Sequence, residues 1–242
     1  MQERHIDIQT THGSMNTFIV HPEEDGPYPV IVFYMDAPGK REELHDMARR
    51  IAAVGYYVVL PNLYYRDERE FHLGMPNATR ERMFELMNNL SNALICEDTG
   101  AIFDFLRGEE LAGAGPVGVV GYCMSGPFVF AAAAAFPERI RATASLHGVR
   151  LFTEEDTSPH LTADKIQGEL YFGCAETDEW APPELIEKLD SHLGGTGIDF
   201  RIEWYPGTKH GFVFPDRDGI YVRDAAERHW ERLFAMWKRQ LS

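Results

Sequence analysis

The stretch "GVVGYCMSGPFVFAAAAAF", residues 118–136, decides the fold. Small apolar residues suited to a buried strand run into Gly121-Tyr122-Cys123-Met124-Ser125-Gly126, and an alanine-rich segment follows with no breaker after Pro127. The order is strand, tight turn, helix. A cysteine on that turn fits the small-x-nucleophile-x-small spacing of a nucleophile elbow, in which the nucleophile's backbone is strained and side chains two positions away collide with strand and helix. Ser125 stands where a glycine is usual, a small change. An elbow puts Cys123 at a helix N-terminus, where free amides and the helix dipole favour a thiolate, and aims the Met124 amide at a developing oxyanion. Two plainer readings compete. Cys123 is a buried structural thiol, or Gly118, Gly121 and Gly126 belong to a nucleotide-binding loop; the missing G-x-G-x-x-G and the mid-chain position weigh against the second.

Outward from the turn, short strand-like runs alternate with helical patterns. "HIDIQT" and "MNTFIV" read as a hairpin, "YPVIVFYM" (28–35) as a strand buried on both faces. "YYVVLP", "VGVV", "ATASLH", "ELYFGC" and "FRIEWY" continue the series. "REELHDMARRIAAVG" (41–55) is an amphipathic helix ended by Gly55, and helical spacing fills 79–108, 126–136, 182–193 and 220–240. Such alternation predicts an α/β fold with a mostly parallel central sheet and helices on both faces. At 242 residues and 44% apolar content, one domain over residues 1–242 is expected.

The chain carries 38 acidic against 23 basic residues, a formal charge of -15. Nucleic acid and anionic membrane surfaces need basic patches, so neither is expected as a partner. "MQERHIDIQTTHG" has charges where a signal peptide has its apolar core, no run is long enough to cross a bilayer, and Cys96, Cys123 and Cys174 lack paired spacing. A cytoplasmic chain, monomeric or homodimeric, is the expectation. No H-E-x-x-H or paired-cysteine pattern suggests a metal.

A thiol nucleophile needs a base and the base an orienting acid, with the histidine last in elbow enzymes. His210 lies in "YPGTKHGF", a glycine-flanked loop between the last strand and the last helix. His147 ends a strand but precedes any acid; His160, His192 and His229 sit in a polar loop or in helical patterns. For the acid, "GCAETDEWAPPE" (173–184) offers Asp178, with Glu176 and Glu179 as alternatives. Helix capping near Pro182 and Pro183 is an equally good use for Asp178 or Glu179.

With Gly-Tyr-Cys-Met-Ser-Gly, the loop acid and "KHGF" in place, the chain resembles the dienelactone hydrolase family, the cysteine branch of the α/β-hydrolase fold. The likeness extends through "VIVFYMDAPG", "MARRIAAVGYYVVLPNLYYR" and "HGFVFPDRDGIYVRDAAERHWERLFAMW". It implies a Cys123–His210–Asp178 triad that cleaves a small ester or lactone through a thioester without a cofactor. It also implies a carboxylate that takes up the thiol proton, here Asp36 where the family has glutamate, and a second oxyanion amide from Ala37. Family members grip a substrate carboxylate with two arginines. Arg80 matches the first, while the second position is Phe214, which implies a different or more apolar ester, with Arg217 as a possible replacement. Tyr65, Phe84, Trp180 and Phe212 are candidate pocket walls. Cys96 and Cys174 read as packing residues. A fold-sharing binding or regulatory protein with a degenerate site is the alternative from another class.

Overall fold

A computed structural model describes residues Met1–Ser242. Its eight strands form one sheet in the order β1-β2-β4-β3-β5-β6-β7-β8. The hairpin of β1 (Gln2–Thr10) and β2 (Gly13–His21) adds antiparallel to β4 (Tyr57–Pro61). From β4 onward, β3 (Tyr28–Tyr34), β5 (Ala112–Tyr122), β6 (Ile140–Leu146), β7 (Glu169–Thr177) and β8 (Phe200–Lys209) all pair in parallel. The central strands β3, β4 and β6 are buried along nearly their whole length. This is why they read as unbroken apolar runs rather than alternating ones.

Helices cover both faces. On one, α3 (Asn92–Leu106) packs against α4 (Gly126–Ala135), which lies over β5 and β6. On the other, α1 (Glu42–Ala52) and α6 (Arg223–Gln240) are joined by the Arg50–Glu227 ion pair. A Tyr56–Trp237 edge contact at 5.6 Å fixes α6 beside β4. Gly118 has no room for a side chain there, since a Cβ would lie 2.6 Å from Ile31 and 3.1–3.2 Å from Leu241 and Trp237.

The helical pattern over 79–108 is two helices rather than one. Helix α2 (Arg80–Asn88) stops before Leu90, and Ser91 restarts the chain as the cap of α3, its Oγ accepting from the Leu94 amide at 3.2 Å. The last helix begins at Arg223 rather than 220, after a run of turns that follows β8. Helix α5 (Pro183–Gly194) opens at its proline, as expected. The carboxyl ends of β3, β5, β7 and β8 converge on one edge of the sheet, the usual place for a ligand in an open parallel sheet.

Candidate active site

Strand β5 ends at Tyr122 in extended conformation, Cys123 turns to φ 55°, and a short 3₁₀ turn leads into α4. A non-glycine residue in that region is uncommon and costs of order 1–3 kcal/mol. The neighbours show what holds it there. A Cβ on Gly121 would come within 2.5 Å of the Ser125 carbonyl oxygen, and one on Gly126 within 2.5 Å of the Gly148 Cα. The Cys123 carbonyl accepts from the amides of Gly126 and, at 3.1 Å, Val149. Ser125 fits because its hydroxyl bonds the Met35 carbonyl at 2.5 Å, tying the turn to the end of β3.

Asp178 sits just past β7 and is 6% exposed. Its Oδ2 accepts from His210 Nδ1 at 2.8 Å, while Oδ1 accepts from the amides of Trp180 at 2.9 Å and Ala181 at 3.2 Å. One oxygen meets the partner reading; the other closes a turn ahead of α5, whose N-cap Pro182 takes no side-chain hydrogen bond, so Asp178 is not the helix cap that was the alternative. Of its rivals, Glu176 bonds the Gly207 amide at 2.8 Å and braces the end of β8, and Glu179 lies on the pocket wall.

His210 follows β8 and is turned by Gly211 at φ 89°. Burial alone disfavours its charged form, but the Asp178 hydrogen bond and the adjacent Cys123 sulfur outweigh that and raise its pKa to about 9. His147 packs edge-on against His210 with ring centres 4.7 Å apart. It is 1% exposed, neither ring nitrogen has a partner, and burial followed by the neighbouring His210 charge holds it well below the usual histidine range. His147 is thus a neutral wall behind His210. The other three histidines bond elsewhere: His160 to Ser158, His192 to the His160 carbonyl, His229 to Tyr122 and Ala226.

Cys123 and His210 open onto a cavity of about 700 Å³ that Ala37, Arg80, Phe84 and Trp180 also line. Trp180 is 56% exposed at its mouth, 6.2 Å ring to ring from Phe84. Phe212, expected as a pocket wall, and Phe214, expected at the second substrate-arginine position, are not there. Both are fully buried and pack against His147, because the turn at Gly211 sends the next residues down into the core. Tyr65 also faces away, bonded to Asp98 at 2.7 Å and Thr10 at 2.8 Å. Arg217 folds back over the Phe214 ring, 4.4 Å from its centre, and lines the pocket instead.

Asp36, fully buried, is held by two guanidinium groups: Arg41 at 2.5 and 3.3 Å and Arg217 at 2.7 Å. Its hydrogen bonds are to these arginines, and none reaches the thiol that it was expected to serve. Arg41 also pairs with Glu43, whose second oxygen takes the Asp216 amide at 2.9 Å. This network ties the loop after β3 to the segment after His210.

Sequence reasoning missed Tyr64. Its hydroxyl donates to the Ala37 carbonyl at 2.8 Å and faces the Met124 sulfur at 3.3 Å, so one buried group spans the two segments whose amides were expected to form an oxyanion hole. In "PNLYYR" nothing distinguishes Tyr64 from Tyr65. Only the Asn62 side chain, which caps the Tyr64 amide at 3.0 Å, sets which ring turns inward.

Among relatives, a Synechocystis protein named "Putative carboxymethylenebutenolidase" is 28% identical, with 98% of this chain and 99% of that protein aligned. The Rhodococcus opacus carboxymethylenebutenolidase is 25% identical over 98% of this chain and 93% of its own. The solved structure titled "Putative Dienelactone Hydrolase" from Klebsiella pneumoniae superposes with a TM-score of 0.87 at 22% identity, covering 98% of each chain. Its fold is therefore shared, as the strand order and elbow lead one to expect. The model of the dienelactone hydrolase family matches residues 15–241; the chain belongs to that family of ester- and lactone-cleaving hydrolases.

Proposed function

We propose that this chain hydrolyses a small ester or lactone by way of a thioester on Cys123, with His210 as the proton carrier and Asp178 as its orienting partner. The observation that carries this reading is a shared pocket: Cys123 and His210 line one cavity, and Asp178 holds the far side of the imidazole at 2.8 Å.

In the first half, His210 already carries the proton beside the sulfur, and the sulfur attacks the substrate carbonyl as the thiolate, forming a C–S bond. The Ala37 and Met124 amides receive the charge that builds on the carbonyl oxygen. When the C–O bond breaks, the leaving alkoxide takes the proton from the imidazolium, which Asp178 has kept in the correct tautomer. In the second half, His210 removes a proton from water, the hydroxide adds to the thioester, and the C–S bond breaks. The acid leaves, and the proton that His210 took from water stays on the ring, restoring the thiolate–imidazolium pair. Every atom of the cycle comes from substrate, water or these side chains.

The test is Cys123→Ala, assayed on 4-nitrophenyl acetate beside the parent protein, with circular dichroism as the check on folding. Turnover is expected to vanish while the fold persists. Equal hydrolysis by variant and parent would overturn the reading.

A further inference from the structure

The pocket in front of Cys123 has a side chamber. A second cavity of about 140 Å³ adjoins it, and the two share Met87, Val149 and Arg150. The elbow faces both, since Cys123 lines the larger space and Met124 the smaller. The threshold is fixed relative to the nucleophile, because the Val149 amide donates to the Cys123 carbonyl at 3.1 Å. Backbone strain marks the same segment: His147 (φ 39°) and Arg150 (φ 52°) both adopt left-handed conformations within four residues.

The chamber is polar in a particular way. Some of its hydroxyls are already used, with Ser91 capping α3 and Ser158 bonded to His160 and the Thr153 amide. Others have no partner in the chain: Asn92 Oδ1, Thr157 Oγ1, the Arg150 guanidinium and the Glu155 carboxylate form no hydrogen bond or ion pair, and all four residues line the chamber, Asn92 half-buried and the other three exposed at its open side and free to meet a ligand. Arg150 alone would suit an anion, but Glu155 on the same wall cancels that preference. What satisfies both is an uncharged group that accepts from one and donates to the other. At about 140 Å³ the chamber is a fifth of the main pocket's 700 Å³, so the group it takes is short.

Resting on the thioester reading above, we infer that this chamber is a specificity subsite for an uncharged, hydrogen-bonding arm of the substrate, an amide or hydroxyl a few bonds from the scissile carbonyl. The carbonyl lies at Cys123, and the arm passes between Met87 and Val149 to reach Arg150, Thr157 and Glu155.

Four 4-nitrophenyl esters test this: acetate, hexanoate, N-acetyl-β-alaninate and hydrogen glutarate. The N-acetyl-β-alanyl chain has the length of hexanoyl but carries an amide where the chamber lies. Its kcat/KM is expected to exceed that of hexanoate by about tenfold, the scale of one or two satisfied polar contacts. The double variant Thr157→Val/Arg150→Met is expected to bring that ratio to about one. A parent ratio near one, a ratio that survives the double variant, or a preference for the glutarate would each overturn the subsite. Failure of the underlying reading shows separately, as acetate turnover that persists in Cys123→Ala.

Discussion

Asp178 gives His210 only one of its oxygens. Oδ2 lies 2.8 Å from the ring nitrogen, and Oδ1 is committed to the amides of Trp180 and Ala181. The division makes the acid rigid, since rotating it toward any other partner breaks two backbone contacts. Asp178→Asn separates the two duties. The amide oxygen can keep the turn, but the amide NH₂ then meets Nδ1 and stabilises the wrong tautomer. The expected result is a fall in kcat of about 10²–10⁴-fold with little change in melting temperature. Asp178→Ala loses the turn as well and costs about 1–2 kcal/mol of stability, read by urea denaturation. Undiminished kcat in Asp178→Asn would remove Asp178 from the mechanism.

The three thiols differ in what surrounds them. Burial pushes Cys96 up to about 11 and Cys174 up to about 12, so both are protonated and inert at neutral pH. Cys123 opens onto the pocket beside His210. Iodoacetamide at pH 7.5 is expected to modify Cys123 at least tenfold faster than the others, and His210→Ala to slow that reaction. Peptide mass spectrometry gives the three rates; equal labelling of all three contradicts the assignment.

Two histidines give stability a pH optimum near neutrality. His210 titrates at about 9 when folded against 6.5 unfolded, so the native state holds the extra proton. Its contribution is complete below pH 6.5 and is lost as the pH climbs through 9. Burial lowers His229 to about 3, so there the unfolded state binds the extra proton. That contribution is complete above pH 6.5 and is lost as the pH falls toward 3. Urea midpoints at pH 5, 7 and 9 are expected to peak at 7. In His210→Gln the alkaline limb flattens while the acid limb stays. An alkaline limb as steep as the parent's would show that His210 does not carry it.

What the sequence disclosed follows the range of the forces involved. The elbow was legible because its constraints are local: Gly121 and Gly126 are small on account of atoms within a few residues or at the next strand end. Strand identity was legible in the same way, from apolar runs that need both faces covered. The inward turn of Phe212 and Phe214 was not, because a single turn at Gly211 sends them into the core and leaves Arg217, already read as a possible replacement, on the pocket. Counting residues past His210 does not reveal that reversal. The placing of Asp36 between Arg41 and Arg217 was hidden for another reason, since one partner lies 181 residues away and pairs with it only after the sheet has formed. The break between α2 and α3 had a local signal, Ser91, but the apolar spacing on either side of it stays in phase and masks the interruption.

Tyr64 is the residue whose removal separates architecture from catalysis. Burial first, then the nearby Asp36 and Cys123 groups, keep its hydroxyl protonated far above the ordinary tyrosine range, so it is a permanent donor. That donor holds the Ala37 carbonyl at 2.8 Å and meets Met124 at 3.3 Å. Tyr64→Phe keeps the ring and its edge contact with Phe71 but frees the two segments to move relative to each other. An oxyanion hole misplaced by a fraction of an ångström loses its grip on the transition state while ground-state binding is unchanged. The expected signature is a kcat lowered by about 10–100-fold at nearly constant KM, with a stability loss of about 1 kcal/mol for the missing hydrogen bond. Steady-state kinetics on 4-nitrophenyl acetate separates the two parameters. If KM rises while kcat holds, Tyr64 shapes the pocket for the ground state, and the Ala37 and Met124 amides are not where the charge develops.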